Sequence, residues 1–228
     1  MAVQASSANM PVVLLKDGAS QTKGRDAQKN NIAAAKIIAE IVHTSLGPRG
    51  MDKMLVDSLG DVTITNDGAT ILKEIDVQHP AAKMLVEIAK STDNEVGDGT
   101  TSAVVLAGAL LEQAESLLLQ EVHPTVIVDG YRKAANKAKQ YIKDIADQVT
   151  ADDKPTLLKI ARTSMQTKLV RKNSDQLADM VVKSVLAVAE KGDNNYTVDI
   201  DNIKVEKKSG GSISDSSILQ GIDRKSVV

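Results

Sequence analysis

The spacing of apolar residues along the chain predicts a mainly helical protein. From residue 26 to residue 46, apolar side chains recur every three to four positions, as on one face of an α-helix, and Gly47 with Pro48 follows as a helix stop. Three more helices are predicted downstream, each opened by a dipeptide suited to a helix start: His79-Pro80, Asp98-Gly99 and His123-Pro124. Their apolar faces are broad enough to be buried against one another.

A new set of helix signals after about residue 150 predicts a second structural unit. There Asp152 and Asp153 open a helix that runs to about residue 165, and a further helix is predicted over residues 174–190. The chain is therefore predicted to form one unit up to about residue 150 and a second unit after it.

Several short segments alternate apolar and polar residues, and these predict strands. Residues 54–66 change to a period of two around a turn at residues 58–61, which predicts a β-hairpin. Short strands are also predicted at residues 12–15, 196–200 and 203–207, whereas residues 209–217 hold too much Gly, Ser and Asp for regular structure. The predicted fold class is mainly α, an α+β fold with a small β-hairpin.

The composition narrows the class of protein further. Among the 228 residues there is no Cys, Phe or Trp, so the core is expected to consist of Ala, Val, Ile, Leu and Met, and a disulfide framework or thiolate metal site is excluded. The net charge is −2 without a long basic block, and no uninterrupted apolar run reaches the roughly 20 residues of a bilayer span. The start of the chain also lacks a secretory leader pattern. We expect a cytoplasmic protein that binds neither nucleic acid nor membrane.

The stretch NEVGDGTTSAVVLAGALL, residues 94–111, suggests a phosphate site at a helix start. Unpaired N–H groups and the helix dipole favour anions there, and hydroxyl groups would add donors. The residues concerned are Gly99, Thr100, Thr101 and Ser102. An aspartate beside a phosphate would be repelled unless it holds a cation, so Asp98 is a candidate Mg²⁺ ligand. The alternative is that these residues only cap the helix, which taken alone is their more common use.

Two further loops carry glycines and polar residues of the same kind. SLGPRGMDKM, residues 45–54, directly follows a predicted helix, and ITNDGATIL, residues 64–72, places Asp67 where a strand reverses into a helix. Each alone is explained by a helix terminator or a turn. Together the three loops would supply phosphate donors, a metal carboxylate and a carboxylate to orient water, as phosphoryl transfer requires. Neither GxxxxGK[ST] nor a strand followed by GxGxxG is present, so a nucleotide site here is of another design.

Three motifs, LGPRGMDKML, VTITNDGATILKEIDVQHPAAK and VGDGTTSAVVLAG, resemble the group II chaperonins of archaea. The similarity runs from about residue 12 to about residue 221. It implies that residues 1–150 form the N-terminal half of the helical, ATP-binding equatorial domain and residues 151–213 the first segment of the α/β intermediate domain. Residues 214–228 would begin the apical region, the body of which is absent.

The resemblance also implies roles for individual residues. It places Leu46, Gly47 and Pro48 against the nucleotide, Asp98 on Mg²⁺, and Gly99, Thr100, Thr101 and Ser102 on the phosphates. Asp67 matches a carboxylate that helps to position the attacking water. Lys168, in TSMQTK, matches a lysine that senses the γ-phosphate from the intermediate domain. Without the resemblance, Lys168 would pass for a solvated surface lysine.

The activity that the resemblance implies is ATP-dependent protein folding by a chaperonin ATPase. ATP and Mg²⁺ would be the ligands, and the partners would be identical or homologous subunits in a double ring, together with unfolded protein clients. The strand at residues 12–15 and the hairpin would be exposed edges in a lone subunit, which favours pairing with neighbouring subunits.

The end of the chain departs from the family pattern. After LQG, residues 219–221, the family continues into an apolar strand, whereas this chain reads IDRKSVV. The expectation is a truncated or fragmentary subunit. Two alternatives stay open: a stand-alone nucleotide-binding module without chaperone activity, and a purely helical scaffold with no ligand.

Overall fold

The structure, a computed structural model, describes residues 21–75, 77–192 and 196–221, which form seven α-helices, three short 3-10 helices and two small sheets. The elements are α1 Gly24–His43, β1 Lys53–Val56, β2 Val62–Thr65, α2 Gly68–Glu74, α3 Pro80–Val96, α4 Thr100–Leu119, α5 Pro124–Ile145, α6 Lys154–Gln166, α7 Ser174–Ala187, β3 Ala189–Lys191 and β4 Tyr196–Val198. The mainly helical fold class is confirmed. The strand predicted at residues 12–15 lies outside the described residues.

The core lies where α1, α3 and α4 pack around the short helix α2. Ile71 and Leu72 of α2 are almost completely buried, together with Val42 of α1 and Val104 of α4. Small residues allow the close approach of α1 and α4, because a Cβ atom at Gly108 would collide with Ala39. The core thus places the N-terminal ends of α2 and α4 side by side.

A three-centred ion pair fixes the polar side of the α1–α4 contact. Lys36 Nζ lies 3.3 Å from Glu112 Oε1 and 3.3 Å from Glu115 Oε2. Hydrogen bonds from Lys36 to these two carboxylates raise the pKa of the ammonium group, so it remains charged. The ion pair joins α1 to α4 beside their apolar contact.

The predicted β-hairpin is confirmed. Strands β1 and β2 pair antiparallel, with Met54 opposite Ile64 and Val56 opposite Val62. In the turn, Asp57 Oδ1 accepts hydrogen bonds from the amides of Leu59, at 2.9 Å, and Asp61, at 2.8 Å. The hairpin exposes an apolar face formed by Met54, Val56, Val62 and Ile64.

Three of the predicted boundaries are wrong. Helix α1 ends at His43 rather than residue 46, and the chain then turns through residues 44–50. Helix α7 ends at Ala187 rather than residue 190, because residues 189–191 pair with Tyr196–Val198. Strand β4 is also shorter than predicted: it ends at Val198, which pairs with Ala189, the first residue of β3. Ile200–Asn202 then forms a 3-10 helix, and the side chain of Asp199, which precedes it, accepts a hydrogen bond from the amide of Asp201 at 3.1 Å.

The strand predicted at residues 203–207 is not formed. These residues have no strand partner in the described structure, and an alternating pattern without a neighbouring edge does not make a sheet. In the segment predicted to be irregular, a short 3-10 helix, Ile213–Asp215, forms because Ser212 and Asp215 cap each other's amides.

Helix α4 is the one described helix that is long and apolar enough to cross a bilayer by length and composition alone. A central helix of a globular protein meets the same criterion, and α4 packs against α1 and α3. It also carries Glu112 and Glu115 of the ion pair with Lys36. The prediction that the protein does not bind membranes therefore stays a prediction.

Candidate functional site

The starts of α2 and α4 touch, which brings two of the three predicted loops together. An added Cβ atom at Gly68 would lie 2.5 Å from Thr101 Oγ1 and 3.0 Å from the Thr101 amide nitrogen. No side chain other than hydrogen fits at residue 68. The loop that carries Asp67 therefore lies against the first turn of α4.

The turn between α3 and α4 leaves the N-terminus of α4 without a side-chain cap. Gly97 and Gly99 adopt left-handed conformations, with φ of +71° and +76°, so that one helix ends and the next begins within three residues. Asp98 Oδ1 accepts from the amide of Gly99 at 2.9 Å, and no side-chain hydrogen bond caps α4 in the described structure. The simple capping explanation for Asp98 is therefore wrong, and the first amides of α4 have no partner within the helix.

The hydroxyl residues of this first turn differ in exposure. Thr100 and Thr101 are buried, whereas Ser102 is exposed. Thr101 fills the contact with Gly68, so its hydroxyl group lies between the two helix starts. The predicted contacts of these residues with phosphates remain predictions.

The carboxylate of Asp98 faces α6 and the residues that directly follow it. Lys168 Nζ lies 3.3 Å from Asp98 Oδ1. Partial burial acts to raise the pKa of Asp98, but hydrogen bonds from Ser164 and the Gly99 amide, with the charge of Lys168, outweigh it, and the net effect is a lowered pKa. Asp98 is therefore held as a carboxylate, the form that a metal ion requires.

Two hydrogen bonds tie the residues that flank Lys168 to the first unit. Asn66 Nδ2 donates to the carbonyl oxygen of Thr167 at 2.9 Å, and Arg171 Nη1 donates to that of Pro48 at 3.3 Å. Lys168 itself lies between the end of α6 and the 3-10 helix Leu169–Asn173. The segment that carries Lys168 is thus joined to two of the predicted nucleotide loops, and to the third through Asp98.

Asp67 has a local structural role. Its Oδ2 atom accepts from the amide of Thr70, at 3.0 Å, and from the hydroxyl of Thr70, at 2.9 Å, so it caps α2. The alternative considered for this loop was a simple turn, and the structure shows instead that Asp67 is the N-cap of α2. Capping also fixes the direction of the carboxylate, which is compatible with the water-orienting role that remains a prediction.

The loop after α1 is a closed turn. Gly47 has a φ of +84°, Gly50 donates to the carbonyl of Gly47 at 2.9 Å, and Met51 donates to that of Thr44 at 2.9 Å. A Cβ atom at Gly50 would collide with the carbonyl of Ser45. The turn leaves Leu46 and Pro48 exposed and reachable by a ligand.

A groove of about 350 Å³ lies between Asp98 and α6. Its lining residues are Asp98, Thr156, Lys159, Ile160, Thr163 and Ser164. A larger depression of about 610 Å³, between α6, α7 and residues 216–220, contains none of the predicted site residues. Of these two cavities, the groove beside Asp98 is the one that borders the candidate site.

Sequence reasoning missed three residues of this site. Ser164 lies in the TSMQTK stretch that carries Lys168, but nothing in that stretch marks a contact with Asp98, and Arg171 lies outside the quoted motifs. Asn66 lies inside the NDG motif, but its contact with Thr167, 101 positions away, has no local sequence signal. All three contacts join positions far apart in sequence, so only the folded structure shows them.

The donor set fits Mg²⁺ bound together with a nucleotide. No group of three or more His, Cys, Asp or Glu side chains that could hold a metal occurs among the described residues. Mg²⁺ needs no such cage, because it is commonly bound through one or two carboxylates together with waters and substrate phosphates. Asp98, ionised and half-exposed beside an uncapped helix start, matches that pattern.

Comparison with known proteins gives a consistent family match. The model of the TCP-1/cpn60 chaperonin family matches residues 38–226. Thermosome subunit alpha of Archaeoglobus fulgidus is 59% identical over 212 residues, which cover 93% of this chain and 39% of that protein. Thermosome subunits of Pyrococcus abyssi and Methanopyrus kandleri are 54% and 55% identical over 218 residues, covering 96% and 95% of this chain. The chain spans about 40% of the length of these curated relatives.

Proposed function

Because this chain belongs to the TCP-1/cpn60 chaperonin family, we propose that it carries the first part of the ATP site of a chaperonin subunit. The complete subunit would bind and hydrolyse ATP within a double ring and use that energy to fold non-native proteins. The observation that carries the proposal is the 3.3 Å ion pair between Asp98 and Lys168. It joins the residue predicted to hold Mg²⁺ to the residue predicted to sense the γ-phosphate.

The roles of the remaining residues follow from their positions. The amides of Gly99, Thr100 and Thr101, at a helix start without a cap, would bind phosphate oxygens. Ser102, exposed in the same turn, would add a hydroxyl donor. Leu46, Gly47 and Pro48, in the exposed turn after α1, would contact the nucleotide; they are joined to the second unit through Arg171.

Hydrolysis would use Asp67 and Lys168. Asp67 is oriented by its two hydrogen bonds with Thr70 and would hold the attacking water. When bound by Asp98, Mg²⁺ would neutralise charge on the phosphate oxygens. The Lys168 ammonium and a divalent cation cannot both occupy the same carboxylate oxygen without repulsion. Lys168 would therefore leave Asp98 and pair with the γ-phosphate.

The proposal also covers the domain boundaries, the partners and the location of the complete subunit. Residues 1–150 belong to the equatorial domain, residues 151–213 to the intermediate domain, and residues 214–228 to the start of the apical region. Identical or homologous subunits and unfolded proteins would be the partners, and the cytoplasm the location. Binding of nucleic acid or membrane is not part of the proposed activity.

The substitution Asp67→Asn in a full-length relative tests the proposed ATPase. Asparagine keeps a side-chain oxygen that accepts from Thr70, so the cap of α2 and the binding of magnesium ATP should survive. Loss of the carboxylate should slow phosphate release by about 10² to 10³, the effect typical of one preorganised catalytic group. Refolding of a denatured client by the ring should fall in parallel.

A matched control is Asp57→Asn, since Asp57 also accepts backbone amides, but in the distant hairpin turn. This variant should hydrolyse ATP at the wild-type rate. Wild-type hydrolysis by the Asp67→Asn ring would contradict the proposal for Asp67, and loss of activity in both variants would show a general effect of removing a turn carboxylate.

A further inference from the structure

The position of Lys168 is not secured by its own ion pair. The side chains of Lys168 and Asp98 are 35% and 46% exposed, and one contact at 3.3 Å joins them. An exposed ion pair of this kind is weak, because water competes for both charges and the lysine stem loses rotamer freedom. Something else in the fold must hold the backbone of Lys168 opposite Asp98.

Asn66 provides that restraint at the adjacent residue. Its Nδ2 atom donates to the carbonyl of Thr167 at 2.9 Å, and Thr167 directly follows the last residue of α6. The last carbonyl groups of a helix have no partner within it, so this one is available to a donor from elsewhere. The half-buried Asn66 supplies a donor from a loop 101 positions away in sequence.

The residues on both sides of Asn66 are held by hydrogen bonds. On one side, Thr65 is buried and its Oγ1 accepts from the amide of Asp67 at 3.1 Å. On the other side, Asp67 caps α2. The residues on both sides of Asn66 are therefore held by hydrogen bonds, whereas the second link to this segment, from Arg171 to Pro48, is longer at 3.3 Å and comes from an exposed side chain.

We propose that Asn66 is a positioning residue for Lys168: its amide fixes the backbone at Thr167 so that the Lys168 ammonium faces Asp98. One side chain would then hold the Asp67 loop and the Lys168 segment in register. The effect on ATP hydrolysis rests on the proposed function, but the positioning itself does not require a nucleotide.

The substitution Asn66→Asp tests the positioning directly. It preserves shape but replaces the donor by a carboxylate oxygen, which the Thr167 carbonyl repels. Competitive acylation of the folded chain, read by mass spectrometry, reports how accessible each lysine amine is. We expect the reactivity of Lys168, relative to that of exposed Lys133, to rise by about two- to fivefold, as expected for loss of an exposed ion pair.

The matched control is Gln176→Glu. Gln176 Nε2 donates to the carbonyl of Ser214 at 2.8 Å, so the same amide-to-carboxylate exchange breaks a similar long-range bond within the second unit. This control should leave the reactivity of Lys168 unchanged. If Asn66→Asp does not fold, as judged by circular dichroism, Asn66→Ala removes the donor without adding charge and should give the same rise.

A second readout separates positioning from the proposed function. In a full-length relative, Asn66→Asp should slow ATP hydrolysis when Lys168 is present. It should have no further effect in a Lys168→Ala background, because both substitutions remove the contribution of the same group, the Lys168 ammonium. Unchanged reactivity of Lys168 in folded Asn66 variants would overturn the positioning. Increased reactivity with unchanged hydrolysis would uphold the positioning and instead overturn the proposed role of Lys168.

Discussion

The side chain of Asp98 makes contacts in three directions from one short turn. Its carboxylate accepts from the amide of Gly99, contacts Lys168, and borders the groove against α6. None of these contacts caps α4. Asp98 therefore contributes a negative charge at a place where the helix dipole alone would attract an anion.

We predict that Asp98→Asn separates metal binding from stability. The neutral amide keeps an oxygen for the Gly99 amide but loses the charge that Mg²⁺ requires. The melting temperature should stay close to that of the wild type, while magnesium-dependent nucleotide binding by a full-length relative should weaken at least tenfold. Normal binding and hydrolysis of magnesium ATP by this variant would show that the metal assignment is wrong.

The lowered pKa of Asp98 gives a pH prediction. Because the folded protein stabilises the carboxylate, the associated stability is present above the ordinary value of 3.8 and is lost as the pH falls through the lowered pKa. The difference in magnesium-dependent nucleotide binding between wild type and Asp98→Asn should therefore stay constant from pH 8 to about pH 5. Binding titrations across this range check it; a difference that disappears near pH 6 would mean that another group controls the metal.

The contact between the starts of α2 and α4 is a property of whole elements rather than of one side chain. We predict that Gly68→Ala forces them apart, because its Cβ atom would lie 2.5 Å from Thr101 Oγ1 and 3.0 Å from the Thr101 backbone. The free energy of unfolding should fall by about 1 to 3 kcal/mol, the usual cost of overpacking, and nucleotide binding should weaken.

Gly130→Ala is the matched control for this prediction. Gly130 lies within α5, and nothing is within 4 Å of an added Cβ atom. This change should stabilise the protein by about 0.5 to 1 kcal/mol, because alanine is the better helix former. Urea unfolding of both variants measures the effects; equal changes in the two would contradict a specific clash at Gly68.

Most elements could be predicted from local sequence, and the exceptions have a common cause. The helices opened by His79-Pro80 and His123-Pro124 begin at the proline, as expected, because each histidine side chain also caps the amide two residues on. Residues 189–191 could not be assigned correctly, because their strand depends on the partner Tyr196–Val198 rather than on their own pattern.

The candidate site was predictable only in part, for a similar reason. The loops of the site could be recognised from glycines that favour turns, such as Gly99 with its positive φ. The contact of Asn66 with Thr167 and that of Lys168 with Asp98 join positions far apart in sequence, and periodicity carries no information about them. The role of Lys168 rested entirely on family resemblance.

At the scale of the whole molecule, the hairpin presents an apolar face that the described residues leave uncovered. Met54, Val56, Val62 and Ile64 lie on it, each more than half exposed. We predict that this element and the N-terminal segment pair across subunits in a complete ring. Deletion of residues 1–17 from a full-length relative should weaken ring assembly on a sizing column; rings of unchanged size and amount would refute the pairing.

We predict that the 228-residue chain alone turns over ATP more slowly than a complete subunit. The chain spans about 40% of the length of its curated relatives, and we propose that a complete subunit adds a second carboxylate that helps Asp67 to hold the attacking water. Loss of one preorganised group costs about 10² to 10³ in rate. Phosphate release by the folded chain and by a full-length relative, at equal concentrations, tests this; comparable turnover by a monomeric chain would show that these residues hold the whole catalytic set.

The central claim is that the three loops and Lys168 form a magnesium-dependent nucleotide site within this chain. The most direct test is a calorimetric titration of the folded chain with ATP, carried out once in the presence of Mg²⁺ and once in excess EDTA. We predict saturable binding with Mg²⁺ that weakens strongly in EDTA and in the Asp98→Asn variant. Absence of binding by the folded wild-type chain, or binding that is the same in EDTA and in the variant, would contradict the claim.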